Sequence, residues 1–130
     1  MLKKLMTTVL GNRHAREVKR LQPVLAQIRE HEARLKDLDE TALKGQTGLF
    51  RERLAERTRA VATELAEVRD AKHGCADPVE RDRLEGRFHE LEAEYKKQLE
   101  AVLDELLPEA FATVREACRR LMGTTVDVTG

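Results

Sequence analysis

The chain has 130 residues, the length of one ordinary domain, and its 24 Lys and Arg are balanced by 24 Asp and Glu. Ala, Glu, Lys, Leu and Arg supply 74 residues, a composition that gives long helices or coiled coil when it is periodic. The 32 Leu, Ile, Val and Phe exclude a disordered chain, the four aromatics exclude a base-stacking nucleic-acid platform, and no apolar run approaches the ~18 residues of a membrane span.

Leu2, Leu5, Met6, Val9 and Leu10 recur at helical spacing and form one stripe, which Gly11-Asn12 closes. The stripe is too short and too interrupted for a signal peptide, because Thr7 and Thr8 break it and no small-residue cleavage site precedes Gly11. Residues 1–20 carry six basic side chains (Lys3, Lys4, Arg13, Arg16, Lys19, Arg20) and one acid, Glu17, so a basic arm precedes an acidic body. Leu2, Lys3, Lys4, Leu5, Met6, Val9, Leu10 and Arg13 are therefore the candidate membrane-binding residues, suited to lying in the interface of an anionic bilayer. Packing of the same stripe on the chain's own body or on a partner is the alternative reading.

A second helix starts near Asn12 or Arg13, with Val18, Leu21, Leu25, Ile28, Leu35 and Leu38 on its apolar side. Pro23 predicts a kink or a late start there. Asp37 to Gly48 contains turn formers and reads as a connector. The pattern resumes through Phe50, Leu54, Val61, Leu65 and Val68 and stops at His73-Gly74-Cys75-Ala76-Asp77-Pro78. Asp77 suits the cap of the next helix, Pro78 its first position, and Glu80 the partner in a capping box. Beyond it Leu84, Phe88, Leu91, Tyr95, Gln98, Val102 and Glu105 keep heptad spacing, with Leu99 and Leu106 widening the stripe. Two helices joined by so short a turn make an antiparallel hairpin. Leu107-Pro108 predicts a break or kink, and a last helix then presents Phe111, Val114, Cys118 and Leu121 before Gly123. The tail, residues 124–130, alternates β-branched residues like the opening of a strand.

The chain is thus expected to be all-α, with a short amphipathic helix, a kinked second helix, a long hairpin and a final helix. Chemistry is sparse. There is no phosphate loop and no G-x-G-x-x-G. His14, His31, His73 and His89 are scattered without the second histidine of a zinc helix, and His73-x-Cys75 reads as an exposed turn rather than a metal site. Cys75 and Cys118 read as reduced thiols of a cytosolic protein, Cys118 packed on an apolar face. No catalytic, nucleotide-binding or metal-binding residue is assigned.

Two segments resemble the amino-terminal region of SecA, the motor ATPase of bacterial preprotein translocation. Leu103-Asp104-Glu105-Leu106-Leu107-Pro108-Glu109-Ala110-Phe111-Ala112-Thr113-Val114-Arg115-Glu116-Ala117, with Arg119, Arg120 and Gly123, is similar to the family's LLPEAFAxVREAxxRxxG. Leu43-Lys44-Gly45-Gln46-Thr47 with Phe50-Arg51 and Arg53-Leu54 is similar to its LKGKTxxFRxRL, and the opening helix ending in Gly11 also fits. The resemblance covers residues 1–54 and 103–130. It implies four parts: a docking helix at 1–11, a helical segment at 12–54, an inserted charged hairpin at 55–102, and the start of a nucleotide-binding motor domain at 103–130. The strand-like tail would then belong to that α/β domain.

The family's adenine-contacting segment and phosphate loop lie beyond this stretch, so ATP and magnesium, the family's cofactors, are carried over to no position here. The resemblance implies a protein on the cytoplasmic face of the bacterial inner membrane. Its expected partners are acidic phospholipid and the SecYEG channel, with preprotein reached only through the complete motor and a homodimer possible. A free-standing helical-hairpin adaptor or self-association module stays open beside it.

Overall fold

The computed structural model describes residues 13–125, and the segment 1–12, with its apolar stripe, and the strand-like residues 126–130 lie outside them. Among the described residues there are three helices and no strand: α1 (Arg13–Leu35), α2 (Glu40–Gly74) and α3 (Pro78–Leu121). The all-α expectation holds. The chain divides into two compact units, one of residues up to Leu43 together with Pro108 onward, the other Lys44–Leu107.

The first unit contains α1, the first residues of α2 and the last turns of α3. Its core is Ile28, Leu35, Leu43 and Ala112, with Val24, Leu38 and Ala117 packed against it. Arg115 Nε lies 3.0 Å from Glu32, and Arg120 Nη2 donates to the Leu35 carbonyl at 3.2 Å. Those two contacts make α1 and the end of α3 run in the same direction. α1 begins at Arg13 and passes through Pro23 without a late start. Only the Ile28 and Leu35 end of its stripe is buried, while Val18, Leu21 and Leu25 are exposed.

The connector is shorter than the turn formers suggest. Residues 36–39 are non-helical and α2 starts at Glu40. Asp39 explains the early start, since its carboxylate accepts the Ala42 N–H at 2.7 Å and its carbonyl the Leu43 N–H at 3.0 Å. A single capping side chain satisfies a first-turn donor, and Leu43 burial holds the turn, so Gly45 and Gly48 are carried inside the helix.

The second unit is the antiparallel hairpin. Val61, Leu91, Val102 and Leu106 are buried along its seam, with Thr58 and Gln46 buried beside them. Thr58 satisfies its hydroxyl within its own helix by donating to the Leu54 carbonyl at 2.9 Å. Arg57 grips Glu105 through two bonds of 3.1 and 3.2 Å, Arg87 meets Glu64 at 2.6 Å, and Lys72 meets Glu85 at 2.8 Å. These pairs are largely exposed and each contributes about 0–1 kcal/mol, so they select register while the apolar seam supplies the stability. Lys72 also lies over the Phe88 ring, 4.7 Å from its centre.

The turn at the hairpin tip forms where the sequence marks it. Asp77 accepts the Val79 N–H at 3.0 Å, and Pro78 opens α3. Glu80 does not complete a capping box. It takes two bonds from Arg83, at 2.9 and 2.7 Å, because the guanidinium one turn away offers a bidentate charged partner.

The largest departures are in α3. No separate final helix begins at Pro108, for α3 runs unbroken from Pro78 to Leu121. Buried Leu106 on one side and buried Ala112 on the other keep the helix together where the proline removes one backbone bond. The buried side of the last turns is also not the apolar one. Phe111, Val114 and Leu121 are 53%, 61% and 64% exposed and Cys118 is exposed, while Ala112 and Glu116 are buried. The small Ala112 permits close approach of α1, and the four larger side chains face outward. Gly123, at φ 87°, ends α3 as its position in the sequence suggests, with Thr124 N–H bonded to the Leu121 carbonyl at 3.1 Å.

Candidate functional site

The candidate membrane residues Leu2, Lys3, Lys4, Leu5, Met6, Val9 and Leu10 lie outside the described residues, and Arg13 is the first residue of α1. The first turns of α1 carry the same character as that segment. Val18, Leu21 and Leu25 are exposed on α1, and Arg16, Lys19 and Arg20 are exposed on the same stretch. Glu17 is its one acid, 4.0 Å from Arg20. Helical periodicity keeps the three apolar residues on one side, so α1 begins as a basic amphipathic helix. Among the described residues no helix is long and apolar enough to cross a membrane.

The densest polar constellation is in the same unit, at the junction of α1 and α3. Glu116, 3% exposed, receives Arg119 through bonds of 2.8 and 2.6 Å and Arg120 Nε at 2.7 Å. Arg120 Nη2 reaches on to the carbonyls of Leu35 and Leu38, at 3.2 and 2.7 Å. Those carbonyls belong to the end of α1 and its following turn, where no further helical donor exists. Arg120 therefore closes α1 from a distance of 85 residues in sequence, and Glu116 aims it. The hydrogen bonds from Arg119 and then Arg120 lower the Glu116 pKa to about 2. A carboxylate so committed carries no exchangeable proton at neutral pH, so this is a structural clasp and not an acid–base centre. The sequence held its signal, an acid followed by arginines three and four residues later, but only burial reveals its purpose.

Beside the clasp lies an open cavity of about 480 Å³, lined by Glu32, Lys36, Val114, Arg115, Cys118 and Met122 with Glu116 and Arg119. Its arginines are already engaged by Glu32 and Glu116. At the hairpin tip, Cys75 Sγ contacts the Asp77 carbonyl at 3.4 Å. His89 sits between Glu85 and Glu92, 3.2 Å from each, and is exposed. His31 contacts Arg34. Among the described residues no group of three or more His, Cys, Asp or Glu has the arrangement of a metal site.

With no catalytic constellation of its own among the described residues, the chain is placed by its relatives. The family model for the SecA DEAD-like domain matches residues 6–128, nearly the whole chain. The chain belongs to the SecA family. A protein translocase subunit SecA of Salinibacter ruber is 34% identical over 137 residues, which covers 90% of this chain and 12% of that protein. A SecA of Chlorobaculum tepidum is 30% identical over 131 residues, covering 98% of this chain and 12% of its own length. One of Dehalococcoides mccartyi is 33% identical, over 87% of this chain and 13% of its own. The chain thus spans about an eighth of the length of these curated SecA relatives. No solved structure matches it.

Proposed function

We propose that this chain serves protein translocation as the amino-terminal part of a SecA-like motor, and that it docks the motor on the cytoplasmic face of the bacterial inner membrane and on the SecYEG channel. The family match over residues 6–128 carries the reading. In it the chain contributes no nucleotide contact, ATP and magnesium are handled by other parts of the motor, and preprotein is engaged only by the whole. Residues 1–13 supply the lipid contact through Leu2, Lys3, Lys4, Leu5, Met6, Val9, Leu10 and Arg13. The exposed Val18, Leu21 and Leu25, with Arg16, Lys19 and Arg20 around them, support it by extending the same chemistry along α1.

The test is co-sedimentation of the 130-residue chain with phosphatidylglycerol vesicles at low salt. Each basic residue at an anionic surface contributes about 1 kcal/mol, so Lys3→Glu with Lys4→Glu lowers binding by about thirtyfold or more. Unchanged binding of the double variant overturns the lipid assignment.

A further inference from the structure

The chain passes between its two compact units twice, between Leu43 and Lys44 within α2 and between Leu107 and Pro108 within α3. Both passages are helical, and each carries residues that weaken a helix. Gly45 and Gly48 follow the first. A Cβ added at either meets nothing within 4 Å, and neither has a positive φ, so neither packing nor backbone conformation asks for glycine. What the two glycines do supply is a softer helix. Pro108 stands at the second passage. Lacking an N–H, it leaves the Asp104 carbonyl without its helical donor, and its ring crowds the preceding turn, the commonest cause of a bend in a long helix. Gly86, also in open space, shows that an isolated glycine is tolerated within the hairpin. Only at the passages does each connecting helix carry such a residue, and bending a two-helix connection requires both to yield.

We propose that the two passages form a hinge about which the hairpin of residues 44–107 changes direction while each unit keeps its own packing. The inference rests on the helices alone and is independent of the translocation reading.

The two native cysteines supply the measurement, since Cys75 lies at the hairpin tip and exposed Cys118 in the other unit. Both are labelled with nitroxide in the full chain and the distance distribution is read by pulsed electron resonance. A Glu52→Cys/Cys118→Ser chain, labelled at positions 52 and 75, gives the spread expected within one unit. The Cys75–Cys118 distribution is expected to be clearly broader than this reference. Gly45→Ala, Gly48→Ala and Pro108→Ala together are expected to narrow it by about twofold or more, because each restores helix propensity. The two glycine substitutions alone, which touch no packed atom, give part of that narrowing, and Gly86→Ala gives none. A wild-type distribution as narrow as the reference overturns the hinge. So does one that stays broad in both the triple and the double-glycine variants, or that Gly86→Ala narrows equally.

Discussion

Leu91 is the largest fully buried side chain among the described residues, at 0% exposure, and it sits in the seam of the hairpin. Replacing it by alanine removes three carbons, worth about 0.8 kcal/mol each in transfer from water, or roughly 2.4 kcal/mol together. The void left behind adds to this, and buried leucines replaced by alanine lose about 2.7–5.0 kcal/mol in all. A seam between only two helices closes on the gap better than a many-sided core does. We therefore place Leu91→Ala near the low end, at about 3 kcal/mol, which for a chain of this size lowers the thermal midpoint by about 10 °C. The control is Leu103→Ala on the same helix, where the leucine is 49% exposed, with an expected loss below about 1 kcal/mol. Both are read by circular dichroism at 222 nm during heating and in urea. If Leu91→Ala costs no more than Leu103→Ala, the seam is not where the structure puts it and the hairpin register is wrong.

Glu116→Gln tests the clasp through pH. The folded pKa of about 2 lies below the ordinary carboxylate value of 4.5, so the stabilisation is complete above about pH 4.5 and is lost as pH falls toward 2. The wild-type midpoint should drop through that window more steeply than that of Glu116→Gln, and parallel profiles would refute the clasp. Asp77→Ala removes the acceptor of the Val79 N–H and should cost about 1 kcal/mol, while Asp77→Asn should cost much less. Equal losses in urea unfolding would mean that the carboxylate charge, not the cap, matters there.

What the sequence determined by itself is local. Seam positions such as Val61, Leu91 and Val102 repeat at helical spacing, and Asp77-Pro78 marks the hairpin turn, because periodicity and capping depend only on residues within a turn or two of one another. The family was legible too, in the run from Leu103 to Ala117. Three things needed the tertiary structure. Pro108 reads as a helix start, yet burial of Leu106 and Ala112 carries α3 through it. The Phe111, Val114, Cys118 and Leu121 stripe reads as core, yet the close approach of α1 selects Ala112 and Glu116 in its place. The Glu116–Arg119–Arg120 clasp reads as a solvated charge run, but Arg120 turns out to close α1, 82 residues before it at Leu38. A stripe's periodicity states that a face exists. Which face is buried depends on what the rest of the chain brings against it, and that is decided by contacts between residues far apart in sequence.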